Sequence, residues 1–359
     1  METVTKRKLA SIRKIKELSP IKGKDRIVLA IIDGWSVIVK KDEFTVGDLC
    51  VFFEIDSFLP MEDKYSFLKP TTYNGKSGYR LKTMKMSGCL SQGLALPLSI
   101  FDWEASDYSE NDDVTEQLNI IKYDVSLLSA SSGKPGNAAG NFPSFLPKTD
   151  QERIQNITHY FNTFKDMQFE ETLKLDGSSM TCYSIPVKPT LWDRIRQLFG
   201  KPSKTYKFGV CSRNLDLKRS DTSTFWKVAI TKNIESLLPC GYALQGELVG
   251  PKIQSNHEKV DDYQFYIFDI YDITQQRYLT PIERSDMMSG PLSTFNHVPV
   301  INPSVDILNQ HTLPSLLAHV EGQSMNPGTI SEGRVYKSTT NPTITFKVIS
   351  NRYLLKCED

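Results

Sequence analysis

The sequence predicts an α+β protein in two parts, and three observations carry that expectation. Short β-branched and aromatic runs, separated by turn signals, fill the N-terminal part. A stretch rich in Ser, Gly, Ala and Asn interrupts the chain from Ser126 to Asn141. Strand-like and helix-like patterns mix from Phe142 onward. A chain of 359 residues is long enough for two domains that each bury a core.

The N-terminal elements follow in order. Arg26 to Ile32 is apolar and β-branched, Gly34 marks a turn, and Trp35 to Val39 alternates. Val46-Gly47-Asp48 is a turn signal, and Leu49 to Ile55 reads as the next strand. This spacing suggests a small β-barrel or sandwich. Basic residues cluster at Lys6, Arg7, Lys8, Arg13, Lys14, Lys16, Lys22, Lys24 and Arg26. A second group, Lys76, Arg80, Lys82 and Lys85, interleaves with Tyr73 and Tyr79. Cations among aromatics fit a nucleic-acid surface, though a solvated charged face has the same composition. Asp102 to Glu116 is acidic and holds no Lys or Arg. The domain boundary is expected just beyond it, giving a module over 1–125, a linker over 126–140 and a second domain over 141–359.

In the second domain Lys148 to Phe161 predicts a helix, with Thr149 or Asp150 as N-cap and Glu152 in its first turn. Leu191 to Phe199 has apolar residues at helical spacing and reads as a docked helix. Strands are expected at Glu171–Leu175, Met180–Ile185, Lys207–Cys211, Tyr242–Val249, Phe265–Tyr271, Gly333–Lys337 and Thr343–Val348.

Composition excludes several classes. Lys plus Arg is 43 and Asp plus Glu is 42, so the net charge of +1 rules out a polybasic binder but not a local basic groove. No run approaches the roughly 18 apolar residues of a membrane span, and Met1 to Lys8 lacks the apolar core of a secretory signal. Cys50, Cys89, Cys182, Cys211, Cys240 and Cys357 form no C-x-x-C pair, which argues against zinc and for reduced thiols in an intracellular protein. The histidines show no ligand spacing.

The chemistry begins at Lys174-Leu175-Asp176-Gly177-Ser178-Ser179. Strand alternation puts Lys174 and Asp176 on one face and Leu173 and Leu175 on the other. A lysine and a carboxylate aimed together at a glycine turn is unusual for a core strand. Ser212-Arg213-Asn214 follows, then Leu244-Gln245-Gly246-Glu247-Leu248-Val249-Gly250 and Phe265-Tyr266-Ile267-Phe268-Asp269-Ile270. Last come Ser331-Glu332-Gly333-Arg334-Val335-Tyr336-Lys337 and Thr345-Phe346-Lys347-Val348-Ile349-Ser350.

This ordered array resembles the covalent nucleotidyltransferases, the superfamily of RNA ligases, DNA ligases and capping enzymes. The resemblance implies that Lys174 is the nucleophile taking a nucleotide, and that Asp176, Glu247 and Glu332 are metal-site carboxylates. It assigns Glu171, Thr172, Lys174, Arg213, Glu247, Phe268 and Lys347 to nucleotide binding. Within that set Arg213 reaches ribose or phosphate, Phe268 stacks on the purine, and Lys347 neutralises the α-phosphate. ATP and Mg²⁺ or Mn²⁺ are the implied cofactors. Many ligases pair two lysines in the last motif. Here Thr345 and Ile349 flank Lys347, and Lys337 is the candidate replacement.

Domain order narrows the family. DNA ligases and capping enzymes place an OB barrel after the last motif, but only 12 residues follow Lys347. A barrel ahead of the transferase resembles the RNA ligases typified by the Deinococcus and Naegleria enzymes. Phe142-Pro143, Lys148-Thr149-Asp150, Arg153-Ile154-Gln155-Asn156, Gly250-Pro251-Lys252-Ile253-Gln254-Ser255-Asn256 and Gly88-Cys89-Leu90-Ser91-Gln92-Gly93 are similar to strings of that family. The implied fold is an N-terminal OB-like barrel followed by a nucleotidyltransferase domain of antiparallel sheets flanked by helices. The implied activity is ATP-dependent sealing of 3′-OH/5′-phosphate nicks in a duplex with an RNA 3′-OH end, by a monomer with no membrane attachment. The barrel is expected to serve sealing more than charging of Lys174. A DNA ligase, a GTP-using capping enzyme and a non-catalytic nucleic-acid binder are the alternatives.

Overall fold

The computed structural model describes residues 7–123, 138–187 and 206–357. The helix expected at Leu191–Phe199, most of the expected linker and Lys6 lie outside the described residues.

The N-terminal module is built of short strands. They are β1 Ala10–Lys14, β2 Glu17–Pro20, β3 Ile27–Ile32, β4 Trp35–Lys40, β5 Leu49–Phe53, β6 Ser57–Pro60, β7 Pro70–Tyr73, β8 Lys76–Arg80, β9 Thr83–Met86, β10 Cys89–Gln92, β11 Leu94–Pro97 and β12 Ile121–Lys122. They pair antiparallel in the orders β1-β5-β11, β2-β3-β4, β12-β6-β8-β7 and β9-β10. Strand alternation divides the module's interior into two apolar cores. Trp35, Val37 and Val39 of β4 pack with Phe52 in one, while Ile12, Val51 and Phe53 pack with Tyr65 in the other.

Two expectations for this module change. The acidic segment does not lead away into the linker. Its backbone returns to β1, with Ile12 N donating to Asp112 O at 2.9 Å, and Glu110 lies 2.5 Å from Lys16 and 3.8 Å from Lys14. Arg13 is buried against Asp33 and Asn111, and Arg7 bonds Glu54 at 2.8 Å. Four members of the first basic cluster, Arg7, Arg13, Lys14 and Lys16, therefore pair with the module's own carboxylates. Tyr73 and Tyr79 are buried core residues, not a stacking platform.

The second domain holds two sheets. The strands are β13 Ala138–Asn141, β14 Phe169–Lys174, β15 Ser178–Pro186, β16 Tyr206–Ser212, β17 Leu215–Leu217, β18 Tyr242–Val249, β19 Gln264–Asp272, β20 Arg277–Tyr278, β21 Asn296–His297, β22 Val300–Val305, β23 Gly333–Ser338 and β24 Thr345–Ile349. The larger sheet runs β13-β17-β16-β15-β18-β19-β20, with β21 parallel to β19, and the smaller runs β22-β14-β23-β24. One face of the larger sheet buries Met180, Leu244, Phe265 and Ile267 under Trp226 and Val228 of the helix Thr224–Thr231. The smaller sheet buries Phe169, Tyr336 and Phe346 against the helices Ile307–Gln310 and Leu313–His319. The last residues of the expected linker, from Ala138, already pair with β17.

The helix expected over Lys148–Phe161 does not form. A 3-10 turn at Ile154–Asn156 and a short helix at Tyr160–Thr163 replace it. Ahead of them the chain is extended, and Lys347 N donates to Glu152 O at 2.9 Å. Asp150 bonds cations instead of capping a helix, so the polar residue that reads as an N-cap serves tertiary contacts.

The two parts touch. Leu313 sits so close to Gly34 (φ +82°) that a Cβ there would fall 2.3 Å from its Cδ2, so only glycine serves both the turn and the contact. Arg153 lies over the Trp35 ring, and Gln92 donates to Asn351 at 3.4 Å. No helix among the described residues is long and apolar enough to cross a membrane.

Candidate active site

Strand β14 ends at Lys174, and the turn Leu175-Asp176-Gly177 carries the chain from the smaller sheet into β15 of the larger one. The motif thus sits where the chain passes from one sheet to the other. Gly177 is required there by space: a Cβ would lie 2.5 Å from Leu248 O. A cleft of about 670 Å³ opens at this crossing. Thr172, Lys174, Asp176, Arg213, Glu247, Phe268, Glu332 and Lys347 all line it.

Glu171 is the exception. On β14, residues Glu170, Thr172 and Lys174 face the cleft, and Glu171 points the other way. Its buried carboxylate accepts from Tyr336 Oη at 3.1 Å and lies 3.3 Å from His319 Nε2. The Glu171 side chain therefore does not join the others at the cleft, because alternation puts it against the helix behind the sheet.

Register explains the other positions. Gln245 pairs with Asp269 and Gly246 with Ile267, which leaves Phe268 as the extra residue of a β-bulge. Ile267 and Ile270 stay in the core, while Phe268 and Asp269 both turn to the cleft. Lys347 lies opposite Val335 and Thr345 opposite Lys337, so Lys337 shares Lys347's face one pair along. Lys337 is not a free second phosphate lysine, however. It is buried in an ion pair with Asp269, which Arg284 also approaches at 3.7 Å, while Arg284 bonds Glu170.

The electrostatics centre on Lys174. Its Nζ lies 2.6 Å from Glu332 Oε1. Burial works against the ammonium, but Glu332, Glu247 and Asp176 outweigh it and raise the lysine pKa. Burial, with Glu332 and Asp176 alongside, pushes Glu247 up to about 8 against the pull of Lys174. Burial and then Glu332 raise Asp176 as well, although Tyr353 hydrogen-bonds it. Burial, helped by Lys174, Arg153 and Arg7, brings Lys347 down to about 7 against Asp150. Lys174 is thus the cation set among three crowded carboxylates, two of which burial and mutual repulsion raise. Among the described residues no three His, Cys, Asp or Glu side chains converge as direct ligands of one ion. The donor set fits a hydrated divalent cation held through its waters, which Mg²⁺ favours.

Sequence reasoning missed much of the wall. Arg7, Asp56, Arg80, Lys122 and Tyr123 reach the cleft from the N-terminal module, and Asp150, Arg153, Glu170, Gln254 and Tyr353 from the second domain. Arg80 stacks on Tyr123 at 4.3 Å. Arg7 and Arg80 belong to the expected basic clusters and Asp150, Arg153 and Gln254 to the family-like strings, but Asp56, Lys122, Tyr123, Glu170 and Tyr353 carry no local signal, and only the docking of the two parts assembles the wall. The N-terminal module thus borders the same cleft as Lys174, a geometry in which its residues can bear on charging as well as on sealing.

Comparison with known proteins adds the following. A sequence model described as RNA ligase matches residues 167–356, and a model described as an OB-fold domain matches residues 9–98. No curated protein matches significantly. Among solved structures, a mutant of Naegleria gruberi RNA ligase with ATP and Mn is 39% identical, with a TM-score of 0.83, covering 98% of this chain and 100% of that one. A second mutant, with AMP and Mn, is 39% identical with a TM-score of 0.82, over 97% of this chain and 98% of its own. The same ligase with pyrophosphate is 39% identical with a TM-score of 0.79, over 97% of this chain and 98% of its own.

Proposed function

The chain belongs to the RNA ligase family, and from that premise we propose how its cleft carries out the reaction. It is an ATP-dependent RNA ligase with an OB-fold domain ahead of the ligase domain. The observation that carries the site assignment is Lys174 at the crossing of two sheets, ringed by Glu332, Glu247 and Asp176.

In the proposed sequence, Lys174 Nζ attacks the α-phosphorus of ATP, an N–P bond forms and pyrophosphate leaves. AMP passes next to the 5′-phosphate of an RNA end. A 3′-OH then attacks that phosphate and AMP departs. Each step is an in-line displacement, in which positioning and charge neutralisation do most of the catalysis. Phe268, turned to the cleft at its bulge and backed by Leu173, Leu175 and Val249, offers a face for the purine. Arg213 and Lys347 supply cations for ribose and phosphate oxygens. Asp176, Glu247 and Glu332 would hold Mg²⁺ or Mn²⁺, whose charge offsets the carboxylates that keep Lys174 protonated. Burial favours the neutral amine that must attack.

The finer substrate is a 3′-OH/5′-phosphate nick in a duplex whose 3′-OH strand is RNA, sealed by a monomer inside the cell, where ATP and reduced thiols coexist. The functional units are 1–125 and 141–359, joined through 126–140. Sealing of nicked duplexes with RNA or DNA on the 3′-OH side, with ATP or GTP, tests this reading. Efficient sealing of the RNA 3′-OH nick with ATP alone is expected. Equal sealing of the all-DNA nick would overturn the substrate assignment.

A further inference from the structure

Asp150 lies where three cations meet. Arg213 Nη2 donates to its Oδ2 at 2.8 Å, Lys122 Nζ donates to the same oxygen at 3.2 Å, and Lys347 Nζ stands 3.8 Å from Oδ1. These cations come from separate parts of the fold: β12 of the OB-fold domain, the end of β16, and β24. The segment that carries Asp150 is pinned on both sides. Lys148 donates to Asn214 Oδ1 at 3.1 Å, Thr149 Oγ1 lies 3.5 Å from Ser179 Oγ, and Glu152 O accepts from Lys347 N. The carboxylate is half-exposed at the cleft, yet those cations hold it well below the usual carboxylate range against the effect of burial.

One carboxylate faces Arg213 and Lys122, with Lys347 beyond them. A phosphate offers more charge and more oxygens at the same point, and guanidinium and ammonium groups suit it. We propose that Asp150 is a positioning residue that stands in for a phosphate. It gathers Lys122, Arg213 and Lys347 in the empty cleft and yields them when a phosphate group arrives. Because Lys122 belongs to the OB-fold domain and Lys347 to the ligase domain, the exchange also swaps a protein carboxylate for a substrate phosphate at a contact between the two domains. The inference depends on reading the cleft as the site for ATP and the RNA end. The phosphate comes from either source, and the test separates them.

Asp150→Asn keeps the shape and removes the charge that competes with a phosphate. Titration of the full-length protein with pyrophosphate and Mg²⁺ should then show a Kd lower by at least about threefold, with a steeper dependence on salt. The KM for ATP should fall with kcat unchanged or reduced, whereas loss of a merely structural contact would raise KM. A 5′-phosphorylated oligoribonucleotide, compared with its 5′-hydroxyl form, is the second arm. Tightening confined to this arm assigns the cations to the RNA end, and tightening with pyrophosphate assigns them to the nucleotide. Asp150→Ser should behave as Asp150→Asn does, and adding Lys122→Gln should erase the gain. Unchanged or weaker binding in both arms overturns the proposal. If the parent protein binds no pyrophosphate and forms no adduct with ATP, the ligase reading falls with it. If the parent does both and Asp150→Asn binds no tighter, only the Asp150 proposal falls.

Discussion

Lys174→Met removes the amine while keeping a side chain of similar length. The amine sits 2.6 Å from Glu332, and the other lysines facing the cleft across β23 and β24 are engaged: Lys337 with Asp269, and Lys347 at 3.8 Å from Asp150. Among the described residues no other lysine is paired with Glu332 as Lys174 is. Adduct formation from ATP should fall at least ~10³-fold, about 4 kcal/mol of transition-state stabilisation. Sealing of a nick that already carries AMP on its 5′-phosphate should persist, since it needs no new bond to lysine. The stability cost depends on pH. Glu247, at about 8, is mostly protonated near neutrality and loses little when Lys174 goes. Without Lys174 its pKa rises further, and each added unit costs about 1.4 kcal/mol once the pH exceeds both values. A carboxyl raised on folding contributes stability that is present below its unfolded pKa and lost as pH rises through the folded one. Loss of the ion pair with Glu332 should already lower Tm near pH 7, and the deficit should grow toward about pH 9 as Glu247 ionises. Intact mass after incubation with ATP and Mg²⁺ reads the adduct, and thermal melts at both pH values read the stability. Adduct at parent yield would refute the nucleophile assignment. A Tm deficit that shrinks with rising pH would refute the electrostatic account.

Other outcomes follow from the same geometry. Alanine at Asp176, Glu247 or Glu332 should cut ligation at least about tenfold while shifting Tm by only a few degrees, read by sealing rates beside melts. Phe268→Ala should raise the KM for ATP by about three- to tenfold through loss of stacking, and deleting Phe268 should do the same with little change in Tm, because closing the bulge keeps Ile267 and Ile270 toward the core and Asp269 toward the cleft. Lys122→Met should weaken adduct formation from ATP as well as sealing, and an effect on sealing alone would return the OB-fold domain to a purely accessory role. His297, brought down to about 4 by burial and then Arg284, is neutral in the fold, so stability should fall as pH drops from about 6.5 to 4, and His297→Gln should flatten that limb in acid melts.

Much of the fold is legible in the sequence because strand alternation is local. Tyr242–Val249 forms a strand over the expected residues, and the other expected strands form within a residue or two of their predicted ends, while β1, β2, β6–β13, β17 and β20–β22 have no counterpart among the expectations. The order of Lys174, Glu247, Glu332 and Lys347 is equally a property of the string, and the fold brings those residues into one cleft. What the string does not carry is the partner across space. Asp150 reads as a helix cap, yet three cations from distant segments take its carboxylate. Lys14 and Lys16 read as a nucleic-acid surface, yet Glu110 pairs with both. Tyr73 and Tyr79 read as stacking rings, yet their strand faces the core. Glu171 reads as part of the motif, yet one step of strand alternation turns it away from the cleft, and one bulge residue turns Phe268 toward it. Residue type and periodicity are settled along the chain. Which charge meets which, and which face becomes the cleft, is settled only when the sheets and the two domains pack, because those interactions act between atoms far apart in sequence.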